Sequence, residues 1–118
     1  MPLSYPEALR LAWPVLMDSV RTRRTISYSE LAGRAGQPLR ARSLHKQLLN
    51  PLAIRCKASG RPDLCALVVR KDSGLPGLGW FEPASLDARD PLELWAEAVL
   101  ACYEYTWPAR PDRGLLGT

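Results

Sequence analysis

The sequence has little of the material from which metal and disulfide sites are built. It contains three cysteines and a single histidine in 118 residues. Cys56, Cys65 and Cys102 have no C-x-x-C spacing, and His45 stands at no recognised zinc-ligand interval from them. We therefore expect free thiols, no metal and no cofactor.

A long uninterrupted hydrophobic run is also lacking. No stretch of about 18 apolar residues occurs, which predicts no membrane-spanning helix and no membrane partner. The first 20 residues do not combine a basic segment with an apolar one, as a secretory signal would. A cytoplasmic location is the expectation.

The length bounds the architecture. A chain of 118 residues makes one small domain and leaves little room for an elaborate catalytic pocket, so we expect no enzyme and no catalytic residues. We predict one domain over 1–107. Residues 108–118 have no hydrophobic periodicity and are predicted to be a mobile tail.

Charge is abundant, and it is concentrated in one block. The net formal charge is +4, yet residues 19–71 carry twelve Lys and Arg against two acidic residues, a net +10. The flanking segments 1–18 and 72–118 are net −1 and −5. A basic block of this kind is typical of a surface that meets a polyanion, although a charge run can also be a solvated or protein-binding face.

Helix start signals recur along the chain. Ser4 with Glu7 three residues later is a capping box that predicts a helix over 5–20, kinked or divided at Pro14. The same signal at Ser27 predicts a short second helix that stops at Gly36.

The rest of the chain predicts two more helices, a hairpin and a last helix. A third helix is expected over 39–49, with Leu44 and Leu48 facing inward, and a new one from Asn50-Pro51 over 51–57. The apolar run and turn residues of 64–82 predict a β-hairpin, and Asp90-Pro91 begins a helix to about residue 105. This order predicts an α+β winged helix-turn-helix: a helical bundle with a two-stranded hairpin wing and an additional C-terminal helix.

One segment resembles a known family. The pattern Ile26-Ser27-Tyr28-x-x-Leu31-Ala32-x-x-Ala35-Gly36-x-Pro38-x-x-x-Arg42 resembles the helix-turn-helix of the alkylguanine-DNA alkyltransferases and alkyltransferase-like proteins. The resemblance implies a winged helix that enters DNA by the minor groove. It also implies that Tyr28 disturbs the phosphate of a target nucleotide and that Arg42 replaces a flipped base.

The family's catalytic Pro-Cys-His-Arg segment is absent. Around Cys56 the chain has no preceding proline and no following histidine, so the resemblance supports the binding module and not alkyl transfer. Residues 67–81 and 103–107 resemble small stand-alone winged-helix proteins of mobile-element and phage-defence neighbourhoods.

Candidate DNA-binding residues follow from these patterns. The basic tract before the second helix would hold phosphates, the polar face of the third helix would read base edges, and the hairpin tip would touch backbone. The candidates are Arg21, Arg23, Arg24, Tyr28, Arg40, Arg42, Ser43, Lys46, Gln47, Arg70 and Lys71. Tyr28 could equally be a half-buried packing residue, and any exposed helix can carry such polar residues.

Three functions remain open on the sequence alone. The first is a non-enzymatic double-stranded DNA-binding protein, such as a small transcription regulator or an accessory in a mobile-element or defence context. The second is a protein-interaction module, an immunity or inhibitor protein that holds an acidic partner. The third is a non-catalytic sensor of alkylated or distorted DNA. The acidic last helix is a candidate homodimer contact.

Overall fold

The computed structural model describes residues 4–36, 43–75 and 90–117.

The first helix begins where the capping box predicts. Helix α1 runs Tyr5–Thr22, and the Ser4 hydroxyl accepts a hydrogen bond from the Glu7 backbone N–H at 3.3 Å. It is one helix of 18 residues, so the expected division at Pro14 does not occur. Arg23 ends the helix in the left-handed region at φ 54°.

Two very short strands form a parallel pair. Strand β1 is Ile26–Ser27 and strand β2 is Val68–Val69, with Ile26 opposite Val68 and Ser27 opposite Val69. Helix α2, Tyr28–Ala35, starts directly from β1, with the Ser27 hydroxyl accepting from the Glu30 N–H as predicted. Gly36 closes α2 at φ 89°, a conformation that glycine adopts without strain.

The parallel pairing of β1 with β2 shows that the predicted hairpin of 64–82 is wrong for its first strand. Leu64–Leu67 forms a buried 3₁₀ turn rather than a strand, and β2 pairs in parallel with β1. A strand and another kind of buried segment can have the same short apolar run, so the run alone was not sufficient to predict a strand here. The chain does reverse after β2, since Gly74 N–H donates to the Arg70 carbonyl at 2.8 Å. The expected return arm at 78–82 lies outside the described residues.

The third and fourth predicted helices are continuous where the structure describes them. A π-helical turn, His45–Leu49, leads directly into helix α3, Asn50–Ala58, and the predicted residues 39–42 lie outside the described part. Asn50 has helical dihedral angles and donates its N–H to the His45 carbonyl, so it is not a fresh cap. The wide turn directly precedes Pro51, which has no N–H and whose ring would crowd a regular α-helical turn.

The chain ends in two helices, α4 and α5. Helix α4, Pro91–Glu104, is capped by the Asp90 side chain as the sequence predicts. Helix α5 is Arg113–Leu116, in the segment expected to be a mobile tail. In this segment Leu115 is completely buried, and its carbonyl accepts from the Tyr5 hydroxyl at 2.5 Å. A short amphipathic turn has too few residues to show periodicity.

The core is shared by nearly all of these elements. Side chains from α1, β1, α2, the π-turn, α3, the 3₁₀ turn and β2 meet in one hydrophobic cluster, which Cys102 of α4 and Leu115 of α5 complete. Leu44 and Leu48 are fully buried, as predicted. The described fold is thus mainly helical with a small parallel sheet, an α+β arrangement in the broad sense. Within the described residues no helix is long and apolar enough to cross a membrane.

Candidate nucleic-acid interface

The parallel strand pair brings two distant candidate segments together. Because Ser27 and Val69 are opposite each other, the residues that follow them, Tyr28 and Arg70, leave the pair at the same end. Helix α2 also packs against β2. The first turn of α2 and the Arg70-Lys71 loop are therefore neighbours. The parallel pairing of β1 and β2, and not a hairpin, brings these two segments together.

A contact between two rings brings the π-turn next to the first turn of α2. The rings of Tyr28 and His45 lie with their centroids 5.0 Å apart and their planes at 45°. Tyr28 is half-buried against the core, whereas His45 and the next residue, Lys46, are exposed. We call the group Tyr28, His45, Lys46, Arg70 and Lys71 the strand-end surface.

The other polar residues of the predicted reading helix are differently placed. Ser43 and Gln47 are both partly buried, and the Ser43 hydroxyl is 3.0 Å from Gln47 Oε1, to which it donates. This contact already occupies one polar atom of each side chain. Arg40 and Arg42 lie outside the described residues and stay sequence-based candidates.

The basic tract at the end of α1 belongs to a second group around Asp18. The Asp18 carboxylate accepts from Arg34 at 3.0 Å and from Arg21 at 2.5 Å. These hydrogen bonds hold the pKa of Asp18 below its ordinary value. Two arginines of the basic block are thus paired within the protein.

The remaining arginines of the tract have separate surroundings. Arg23 lies over the ring of Tyr103, with the guanidinium carbon 5.8 Å from the ring centroid. Arg24 is exposed and lines a polar cleft between α1 and α2 together with Asp18 and Glu30. Acidic and basic groups are mixed in this cleft, so it is a weaker phosphate site than the tract alone suggests.

Two further arginines of the basic block are paired with carboxylates. Arg70 bonds Asp72 at 2.9 Å, an exposed contact that solvent and salt weaken. Arg61 makes a two-pronged contact with Asp112 in the segment that precedes α5. Lys46 and Lys71 have no acidic partner among the residues that the structure describes.

The thiols are placed unlike nucleophiles. Cys56 is fully buried, and burial raises the pKa of its thiol to about 11, although the charge of Arg61 acts in the opposite direction. Cys65 and Cys102 are also buried and free, their thiol pKa values are raised by burial, and their Sγ atoms donate to backbone carbonyls. A thiolate nucleophile needs the opposite surroundings.

Sequence reasoning missed two residues of this region. The sequence pattern only excludes His45 as a zinc ligand, and no local signal indicates that its ring meets Tyr28. Asp18 was counted only as a charge, although its position three residues before Arg21 is a spacing at which helical side chains pair.

Comparison with family models, curated proteins and solved structures finds no match to this chain.

Proposed function

We propose that this chain is a non-enzymatic protein that binds double-stranded DNA through the strand-end surface. Helix α2 and the segment that begins with the π-turn would be the two helices of a helix-turn-helix. A small regulator or a DNA-binding accessory is the role that suits such a module, and the buried thiols support binding without covalent transfer.

The observation that carries the proposal is the register of the two strands. Ser27 opposite Val69 places Tyr28 beside Arg70 and Lys71, which lie more than 40 positions later in the sequence, and the Tyr28–His45 ring contact adds Lys46 to the same surface. Lys46, Arg70 and Lys71 are all exposed there. Lysine and arginine that face phosphates gain affinity by releasing condensed counterions.

The polar make-up of the surface favours a nucleic acid over an acidic protein. The large exposed apolar side chains of the described residues, Leu11, Ile54, Leu92, Leu100 and Tyr105, all lie outside it. A protein interface usually has an apolar or aromatic centre, whereas phosphate contact requires cations and polar donors. Among the described residues of this surface, the half-buried Tyr28 is the one large aromatic side chain.

The test is a set of titrations with duplex DNA at low salt, following the fluorescence anisotropy of a labelled duplex. Lys46→Gln and Lys71→Gln should each weaken binding about three- to tenfold, because each removes a phosphate contact. Arg10→Gln is the matched control, since it removes one exposed charge from α1 outside the surface. It should change the affinity by less than twofold.

Four outcomes would contradict the proposal. Absence of binding at low salt would reject DNA as the ligand, and a stoichiometric, salt-resistant complex with a protein would favour the interaction module. Equal losses for Arg10→Gln and the two lysine variants would show binding by overall charge rather than by this surface. Tighter binding to an alkylguanine duplex would instead support the damage sensor.

A further inference from the structure

Helix α4 has an acidic and apolar outer face. Leu92, Ala96 and Leu100 follow one another at four-residue spacing and are exposed, with Leu92 at 49% and Leu100 at 48%. Glu93 and Glu104 lie beside this stripe, and α4 contains no lysine or arginine. The inner side, with Cys102, packs on the core.

Helix α3 has an outer face of opposite charge. Ile54 is 67% exposed, the highest value among the large hydrophobic residues that the structure describes. Lys57 and Ala58 lie three and four positions further on, hence on the same side of the helix, and both are exposed. Lys57 has no acidic partner in the described part of the chain.

The two helices pack mainly on other elements and not on each other. Helix α4 packs chiefly on the 3₁₀ turn and also on α1, whereas α3 packs on the π-turn, the 3₁₀ turn and α5. Both faces are exposed in the single copy, and each can meet the oppositely charged face of another copy.

We propose that copies of this chain associate head to tail, the Ile54-Lys57 face of α3 docking on the Leu92-Glu93-Leu100 face of α4 in the next copy. Apolar side chains then cover apolar side chains, and Lys57 meets Glu93. Because the two docking faces differ, the contact is heterologous and leaves one free face at each end, so it builds rows of copies unless a ring closes.

The contact is small and weak. Two short helical faces bury less than the roughly 1,000 Å² expected of a stable interface, so association requires high protein concentration or neighbouring sites that hold copies side by side. Exposed charge pairs are weakened by salt, and the association should weaken accordingly.

The test is sedimentation velocity of the purified, DNA-free chain at low salt up to several hundred micromolar. The wild type should sediment faster as concentration rises. Lys57→Glu and Glu93→Lys should each lower the association constant at least threefold, and the double variant should return to within twofold of the wild type. Ile54→Ser should weaken association without a change of charge.

Net charge provides the control. Arg10→Glu changes the charge as Lys57→Glu does, at an exposed site of α1 outside both faces, and should leave association unchanged. An equimolar mixture of the two single variants should associate about as strongly as the wild type, because one of its contacts keeps the wild-type charge pair and the other has the exchanged pair of the double variant. The proposal would be overturned by a wild type that stays monomeric. It would also be overturned if Arg10→Glu weakened association as much as Lys57→Glu does, or if the double variant did not regain the association of the wild type. None of these outcomes depends on DNA binding.

Discussion

Asp112 joins two structural roles in one side chain. Both of its carboxylate oxygens accept from the Arg61 guanidinium, and the same carboxylate caps α5 by accepting from the Leu115 N–H. The Arg61 contact holds the pKa of Asp112 below its ordinary value. An acid with a lowered pKa stabilises the fold above the unfolded-state pKa, near 4, and that contribution disappears as pH falls through the folded-state value.

Two substitutions separate these roles. Asp112→Asn keeps a good capping residue but removes the charge, and should lower the free energy of unfolding at pH 7 by about 1 kcal/mol, since the Asp112 side chain is 42% exposed. Asp112→Ala also removes the cap and should cost about 1 kcal/mol more. Urea unfolding at pH 7 measures both.

The pH dependence checks the cause. The difference between the wild type and Asp112→Asn should be constant above about pH 5 and shrink below about pH 4, where the carboxylate of the unfolded wild type takes up a proton before that of the folded chain. A difference that stayed the same at pH 2.5 would show that the charge is not responsible.

The three thiols allow a second prediction at this scale. Because Cys56, Cys65 and Cys102 are buried and burial raises their thiol pKa values, a disulfide reagent should modify them at least about 100-fold more slowly in the folded chain than in urea. The absorbance of the released thiolate follows both rates. One native thiol reacting at the unfolded rate would reveal a nucleophile that burial does not suppress.

At the scale of elements, the capping boxes were sufficient for α1 and α2, because an N-cap bond is made within four residues. The π-turn was not predictable in the same way. Asn50-Pro51 is a usual helix start, yet the chain stays helical through it, since buried Leu48, Leu49 and Leu52 hold the segment against the core. Tertiary packing prevailed over the local signal.

The last element gives the clearest difference between sequence and structure. Deleting residues 110–118 removes buried Leu115 together with the Arg61-Asp112 contact, and should lower the free energy of unfolding by at least about 3 kcal/mol. Urea unfolding compares the truncated chain with the wild type. Leu115→Ala isolates the apolar part and should cost about 2–5 kcal/mol. A mobile tail would instead leave the stability unchanged.

For the whole molecule, ion pairing decides how much of the basic block can act on a ligand. Twelve cations lie in residues 19–71, but Arg21, Arg34, Arg61 and Arg70 bond carboxylates of the same chain. We expect about three to five phosphate contacts, so the plot of log affinity for duplex DNA against log salt should have a slope of about −3 to −5. A slope near −10 would mean that the internal pairs open on binding.

The sequence by itself determined the starts of α1, α2 and α4, the inward face of Leu44 and Leu48, the basic block and the free thiols. Each of these depends on residues close in the chain or on composition. Only the tertiary structure decided that β1 pairs in parallel with β2, that Tyr28 meets His45, and that Asp112 reaches Arg61 across 51 positions. Such contacts depend on which buried surfaces fit together, and local spacing carries no record of that fit.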